Sequence, residues 1–239
     1  MTADQLMQLK GKIPQIEEKI GYTFQKKDLL IAAFTHRSYV NEAKDKVLIH
    51  NERLEFLGDS VLGLVLSEYL YQRLPDQPEG RLSQLRSALV DAPSCAQYLL
   101  KLELGDSILL GKGEKMSMGQ GKISIQANAF EALVAALYLD GGFFVASTFL
   151  TSHFGEIFEL TIEKPPVNYK AQLQDFSQKQ FQKPPVYQVV EEGGPEHAKV
   201  FHVRVLLDGE ESGRGDGHSK KEAEQKAAFE ALTKIGACK

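Results

Sequence analysis

Cysteine is scarce in this chain, which limits how the fold is stabilised. Only Cys95 and Cys238 occur in 239 residues, and they lie far apart in the sequence. A disulfide framework or a zinc knuckle requires more cysteines at regular spacing, so neither organises this protein. We expect both thiols to be reduced, as they are in cytoplasmic proteins.

We also find no sequence pattern typical of a signal peptide or of a membrane-spanning segment. The first residues, MTADQLMQLKGKIPQ, contain no apolar stretch of signal-peptide length. We also expect no later stretch to be long enough to span a bilayer. The hydrophobic content of 43% and the charged content of 25% are typical of a soluble globular protein. The composition therefore predicts a cytoplasmic protein with no membrane partner.

The chain lacks the net positive charge that often marks a nucleic-acid binder, since its formal charge is −4. Residues 1–164 carry 17 basic and 21 acidic side chains, whereas residues 165–239 carry 11 of each. A nucleic-acid footprint is a local stripe rather than a total, so such a partner is not excluded. The acidic excess lies in residues 1–164, as expected if a metal-binding cluster belongs to that part of the chain.

A nucleotide-binding phosphate loop is absent as well. Gly105–Gly121 is rich in glycine, but it has no G-x-x-x-x-G-K spacing, and Ile123 follows Lys122 where the motif requires Ser or Thr. We therefore expect this segment to be a mobile surface loop.

The chain does contain one long helical pattern, His50–Leu70, that carries three carboxylates. It has no proline, and Asn51 can cap its start. At about 100° per residue, Glu52, Glu55 and Asp59 lie within roughly 60° of one another. Apolar side chains occupy nearly every other direction, which predicts a buried helix.

Three neighbouring carboxylates on a buried helix require a compensating cation, because they repel one another and lose hydration. One interpretation is a structural network with basic groups such as Arg53. The other is a divalent-cation site with oxygen ligands, which we favour because Asp and Glu are rarely buried unless paired or metal-bound. The helical pattern Ile125–Leu139 supplies a second acidic element. Its Asn128 and Glu131 are neighbours on one face, and we expect Glu131 to share the cation.

A proline-containing linker at residues 163–167 divides the chain into two domains. No strand pattern precedes it, so residues 1–164 are predicted to form an all-α domain. Residues 165–239 are predicted to form a small α+β domain of αβββα order. Its elements are Tyr169–Gln182, Val186–Val190, Val200–Leu207, Glu210–Arg214 and a last helix opened by the capping box Ser219–Glu222.

The second domain carries basic and polar side chains at positions that can meet a ligand. Lys220 and Lys221 lie in the first turn of the last helix, where free N–H groups and the helix dipole favour an anion. The alternative is a solvated basic turn without a ligand. Further polar side chains are placed to contact 2′-hydroxyls or a minor groove: Gln174, Asp175, Gln178 and His197. Such a surface recognises A-form shape rather than sequence.

Three motifs resemble those of bacterial ribonuclease III: NERLEFLGD at 51–59, THRSY at 35–39 and ANAFEALVAALYLD at 127–140. The carboxy-terminal domain resembles the double-stranded-RNA-binding domain of the same family. The resemblance implies a homodimer of helical nuclease domains with one cleavage site per subunit. It also implies magnesium-dependent cleavage of both strands, with manganese as a substitute, leaving 5′-phosphate and 3′-hydroxyl ends. The implied role is the processing of rRNA and other structured transcripts.

The resemblance also assigns residues. Glu52, Glu55 and Asp59 match the acidic positions of the family motif, and Glu131 matches the downstream glutamate. Glu79 matches a further acidic position that acts near the site from across the dimer. The RNA-contacting positions of the second domain are Gln174, Gln178, His197, Lys220 and Lys221.

One position departs from the family pattern, because Asn128 stands where Asp is common. Its amide oxygen can still bind magnesium, but it brings no charge. The resulting hypothesis has Glu55, Glu131 and, more weakly, Asn128 holding the metal. Asp59 binds metal or orients the attacking water, and Glu52 supports the site.

Two other functions remain open at this point. A non-catalytic duplex-RNA binder would use the helical domain as a dimer scaffold, and the uncharged Asn128 favours it. The intact Glu55, Asp59 and Glu131 speak against it. A metal-dependent phosphohydrolase of small substrates would have no use for the second domain.

Overall fold

The computed structural model describes residues 2–43, 48–116, 118–165, 167–193 and 199–237. These residues divide into two compact units, Met1–Pro165 and Pro166–Lys239. The first unit is helical and the second has αβββα order, so the predicted fold class is confirmed. Cys95 is a free, buried thiol, and Cys238 lies outside the described residues.

The first unit consists of eight helices and one 3-10 turn within the described ranges. The helices are α1 (Thr2–Ile20), α2 (Lys27–Ala33), α3 (Arg37–Ala43), α4 (Glu52–Arg73), α5 (Glu79–Leu89), α6 (Ala92–Lys101), α7 (Lys112–Met116) and α8 (Met118–Glu163), and the 3-10 turn is Gly105–Ser107. Gly142 interrupts α8 with a φ of 82°, a value that glycine adopts at little cost. The two segments of α8 contain the predicted helices at 125–139 and 143–162.

The core of the first unit lies between α4 and the amino-terminal segment of α8. Leu62 and Leu66 of α4 and Phe130 and Leu133 of α8 are fully buried. Alanines of α8, such as Ala132, allow the two helices to approach closely. The core therefore holds the predicted acidic helix against the second acidic element.

Helix α4 is not buried on all sides, contrary to the prediction. Phe56, Leu64 and Tyr71 are 58–79% exposed. The predicted cap is also wrong, because the Asn51 side chain makes no capping hydrogen bond. Its amide instead donates to the Ala33 carbonyl at 3.4 Å, since Asn51 is buried beside α2.

The glycine-rich segment 105–121 is not a surface loop. Ile108, Leu109 and Leu110 are buried, and Leu109 forms a bridge with Thr35. Helix α7 and the start of α8 occupy most of the remainder. The apolar run outweighs the surrounding glycines because it joins the core through a pairing distant in sequence.

The residues from Gly121 to Glu163 form a helix that is long and apolar enough to cross a membrane by length and composition alone. The expectation that no stretch reaches this length is therefore wrong. Residues such as Phe130 and Leu133 fill the core of the first unit. A buried core helix passes the same test.

The second unit packs two helices on one face of a three-stranded antiparallel sheet of order β1-β2-β3. Its elements are α9 (Tyr169–Phe181), β1 (Val186–Gly193), β2 (Val200–Leu207), β3 (Glu210–Gly217) and α10 (Lys220–Lys234). Val203 and Val205 of β2 are buried in the same cluster as Leu173 of α9. Asp208 and Gly209 both have positive φ, which confirms the predicted hairpin turn.

Candidate active site and nucleic-acid interface

An open cavity of about 490 Å³ lies between α4 and α8, and we call it the acidic cleft. The residues that line it are Glu52, Glu55, Phe56, Asp59, Asn128 and Glu131. Two helices that are separated in sequence thus bring five predicted site residues to one cavity.

The cleft is located where the two helix backbones touch. A Cβ atom at Gly58 would lie 1.8 Å from the carbonyl oxygen of Glu131, so only glycine allows this approach. Glu55 and Asp59 flank Gly58 along α4. The contact therefore sets both carboxylates beside Glu131.

The carboxylates of the cleft are less buried than the sequence predicts. Glu52 and Asp59 are exposed, whereas Glu55, Asn128 and Glu131 are half-buried. The acidic face of α4 lies at the mouth of the cavity rather than in the core. A substrate can reach side chains in this position.

The pKa values show that negative charge in the cleft is poorly compensated. Burial, followed by the charges of Asp59 and Glu55, raises the pKa of Glu131 to about 7. The pKa of Glu55 is also raised, first by burial and then by the charges of Glu52 and Asp59. A bound cation would relieve both effects.

Among the described residues, basic side chains pair with only one of these carboxylates, that of Glu52. Arg37 Nη1 lies 3.0 Å from Glu52 Oε1, and His50 Nδ1 lies 3.7 Å from the other Glu52 oxygen. Within the described part of the chain, Arg53 forms no ion pair, and neither does Glu55, Asp59 or Glu131. The structural-network interpretation therefore explains Glu52 alone.

The remaining side chains fit a hard divalent cation in their chemistry, because carboxylate and amide oxygens are its preferred ligands. Among the described residues, however, no three His, Cys, Asp or Glu side chains stand close enough to hold a metal ion. The cleft thus has the donor types and the uncompensated charge, but its carboxylates are not gathered into a ligand set.

Glu79 lies in a different cavity, of about 680 Å³, which α4 and α5 line with residues that include Leu64, Tyr71 and Arg86. Its Oε1 accepts a hydrogen bond from Ser83 Oγ at 2.7 Å. Within one chain, the structure does not bring Glu79 to the acidic cleft.

The sequence reasoning missed three residues that shape the cleft: Gly58, Arg37 and Cys95. Cys95 is fully buried, and its Sγ donates to the Val90 carbonyl at 3.6 Å. The same thiol lowers the pKa of Glu131 and so opposes the effect of burial. Burial raises the pKa of the Cys95 thiol itself. A glycine in the middle of a helical pattern was the available signal for Gly58, whereas nothing local marks Arg37 or Cys95.

The predicted RNA-binding residues of the second unit are exposed where they are described. They are Gln174, Asp175 and Gln178 on α9 and Lys220 and Lys221 in the first turn of α10. Ser219 Oγ accepts from the Glu222 N–H at 3.1 Å, as the predicted capping box requires. The Glu222 carboxylate, however, accepts from the N–H of His218 at 2.9 Å rather than from that of Ser219. His197 lies outside the described residues.

Comparisons with known proteins agree with both domains. Residues 26–156 match the family model described as Ribonuclease-III-like, and residues 169–235 match the Double-stranded RNA binding motif. The Ribonuclease 3 of Protochlamydia amoebophila is 53% identical over 222 residues, covering 93% of this chain and 91% of that protein. The Ribonuclease 3 of Leptospira interrogans is 45% identical over 224 residues, covering 93% and 90%.

A solved structure matches the helical unit. The nuclease domain of ribonuclease III from Campylobacter jejuni superposes with a TM-score of 0.56 at 41% identity, covering 62% of this chain and 99% of that domain. Together with the acidic cleft and the αβββα unit, these similarities identify the chain. It belongs to the ribonuclease III family of double-strand-specific endoribonucleases.

Proposed function

We propose that the acidic cleft hydrolyses phosphodiester bonds of double-stranded RNA with magnesium, leaving 5′-phosphate and 3′-hydroxyl ends. The observation that carries the proposal is the meeting of Glu55, Asp59 and Glu131 at one open cavity, where none of them has a basic partner among the described residues. A cleft that accepts a phosphate polyanion needs positive charge, and these carboxylates provide none. A divalent cation held by them supplies it.

Glu55, Glu131 and Asn128 would hold the magnesium, and manganese would substitute for it. When bound, the metal lowers the pKa of a coordinated water and offsets charge on the transition state. Asp59 is a further ligand or orients the attacking water through a carboxylate oxygen. Glu52 supports the edge of the cleft through its ion pair with Arg37.

The protonation of Glu131 links this chemistry to pH. Its pKa of about 7 means that a proton and a cation compete for the carboxylate near neutral pH. Asn128 contributes an oxygen but no charge, which weakens the hold on the cation. Cleavage should therefore require more magnesium at pH 6 than at pH 8.

We propose that residues 1–164 form the nuclease domain and residues 165–239 the RNA-binding domain. Lys220 and Lys221 would contact phosphates. The side chains that would contact 2′-hydroxyls and the minor groove are Gln174, Asp175, Gln178 and His197. Because this surface reads duplex shape, we propose that the enzyme processes rRNA and other structured transcripts in the cytoplasm.

We further propose a homodimer in which a second copy covers α4. Phe56, Leu64 and Tyr71 lie within about 80° of one another on this helix, and their exposure creates an apolar stripe of the kind that marks an interface. The Campylobacter jejuni nuclease domain is described as having a region involved in dimer formation. In such a dimer, Glu79 of each subunit would reach the cleft of the other.

The test of the proposed function is incubation of the full chain with a long RNA duplex and magnesium, followed by analysis of product ends. We expect short duplexes with 5′-phosphates, no cleavage in EDTA and a strong loss with Glu131→Gln. Duplex RNA that is retained but never shortened would favour the non-catalytic binder. Undiminished cleavage by Glu131→Gln would remove Glu131 from the mechanism.

A further inference from the structure

Two lysines of the second unit share one carboxylate. Glu192, near the end of β1, has its Oε2 2.5 Å from Lys199 Nζ and its Oε1 3.4 Å from Lys220 Nζ. Both ammonium groups also lie over the ring of Phe201, at 5.4 and 5.5 Å from its centroid. We call these four side chains the Glu192 cluster.

The cluster is assembled by the fold. Glu192 belongs to β1, Lys199 immediately precedes β2, Phe201 belongs to β2 and Lys220 opens α10. The pairing of Glu192 with Phe201 across β1 and β2 brings the carboxylate and the aromatic ring together. The ammonium groups of Lys199 and Lys220 both lie beside this carboxylate and over this ring.

The lysines of the cluster remain accessible to a ligand. The side chains of Lys220, Lys199 and Glu192 are 58%, 45% and 35% exposed. Ion pairs this exposed are weak and are screened by salt. The pKa of Glu192 is lowered chiefly by the hydrogen bond from Lys199, so the carboxylate is charged and cancels part of the positive charge around it.

Neighbouring residues provide a contrast. Lys221 and Glu191 form no ion pair in the described part of the chain. Of the two lysines in the first turn of α10, Lys220 alone is paired with a carboxylate from the residues that the structure describes. A phosphate that approaches Lys220 must displace Glu192, whereas Lys221 is exposed and has no carboxylate partner among the described residues.

We propose that Glu192 is an internal counter-ion that competes with RNA phosphate for Lys199 and Lys220, and that Lys199 is a further phosphate-binding residue. This inference rests on the proposed binding of duplex RNA by the second unit. The Phe201 ring keeps the two ammonium groups together through cation–π contacts when Glu192 is displaced. Glu192 thus sets both the strength and the salt dependence of binding.

The test compares Glu192→Gln with Glu191→Gln in the full chain. Both variants remove one negative charge from adjacent positions of β1, but only Glu192 pairs with lysines. Affinity for a long RNA duplex is measured in EDTA, to prevent cleavage, over a range of salt concentrations. We expect Glu192→Gln to bind about fivefold more tightly at low salt, and Glu191→Gln to change affinity by less than about twofold.

Two further measurements complete the test: the salt dependence of binding, and the effect of Glu192→Gln in a variant that lacks both lysines. The slope of log affinity against log salt should steepen by up to about one unit for Glu192→Gln, because one more RNA phosphate is neutralised. In a Lys199→Met/Lys220→Met background, Glu192→Gln should change affinity by no more than Glu191→Gln does, since its partners are gone.

Equal effects of the two glutamate variants would overturn the proposal, as would a gain that persists without the two lysines. Weaker binding by Glu192→Gln, with an unchanged unfolding temperature, would also overturn it. All of these outcomes leave duplex binding by the wild-type protein intact. Failure of the wild-type protein to bind duplex RNA would instead overturn the proposed function and this inference together.

Discussion

Gly58 of α4 lies directly against the backbone of Glu131 in α8. A Cβ atom at position 58 would be 1.8 Å from the Glu131 carbonyl oxygen, well inside any van der Waals contact. The position of a proposed metal ligand is therefore set by a residue that has no side chain. The same contact determines how far Glu131 lies from Glu55 and Asp59.

Replacing Gly58 by alanine should separate the two helices and disable the cleft. We expect Gly58→Ala to lower the free energy of unfolding by about 1–3 kcal/mol, the usual cost of overpacking, and to reduce cleavage strongly. Gly155→Ala in α8 is the matched control, since a Cβ at Gly155 meets nothing within 4 Å and lies outside the apolar stripe of α4. Thermal unfolding and duplex cleavage measure both effects. Identical behaviour of the two variants would show that the contact is not tight.

The acidic cleft could be predicted from sequence because it depends on local periodicity. Glu52, Glu55 and Asp59 share a face of α4 at any orientation of that helix, as Asn128 and Glu131 do in α8. Because neighbouring carboxylates require a compensating cation, the sequence also predicts that the two acidic elements meet at one site.

The errors concern residues whose surroundings come from distant parts of the chain. Asn51 is predicted to cap α4, but its side-chain amide donates a hydrogen bond to the Ala33 carbonyl because α2 packs beside it. Leu109 lies in a glycine-rich segment and is buried through its bridge with Thr35. The influence of the Cys95 thiol on the pKa of Glu131 has no local signature, because α6 and α8 meet only in the folded core.

Glu131 should make stability depend on pH when no metal is present. Its pKa is raised from 4.5 to about 7, so between these values the folded state holds a proton that the unfolded state lacks. The free energy of unfolding therefore falls as pH rises through this window. Glu131→Gln should be more stable than wild type at pH 8 in EDTA, by about 1–3 kcal/mol, and similar to it at pH 4.5. Denaturant titrations at the two pH values measure the difference, and an equal difference at both would contradict the assignment.

The uncharged Asn128 should limit metal affinity. Asn128→Asp adds a charged oxygen ligand to the cleft, so we expect half-maximal cleavage at roughly three- to tenfold less magnesium. Ser124→Asp is the matched control, because it adds the same charge about one turn earlier on α8 at an exposed position outside the cleft. Magnesium titrations of cleavage rate compare the two. If both variants shift the curve equally, long-range charge rather than ligation explains the effect.

The lysines at the start of α10 should act in binding rather than in chemistry. Lys220→Met and Lys221→Met should each weaken duplex binding and reduce its salt slope by up to about one. Cleavage at saturating RNA should be preserved. Lys234→Met, in the last turn of the same helix, serves as control because it pairs with Glu230 far from the first turn. A loss of cleavage at saturating RNA without a loss of affinity would assign these lysines a different role.

The exposed apolar stripe of α4 should be an interface between two copies of the chain. Leu64 is 58% exposed in one chain, so a monomer would tolerate Leu64→Glu, whereas a dimer would bury the new charge at high cost. We expect Leu64→Glu to halve the mass measured by light scattering and to abolish duplex cleavage, with far-UV circular dichroism unchanged. Leu100→Glu on α6 is the control, since that leucine is similarly exposed and lies outside the stripe. A dimer that survives Leu64→Glu would place the interface elsewhere. It would also leave Glu79 without a route to the acidic cleft of a partner.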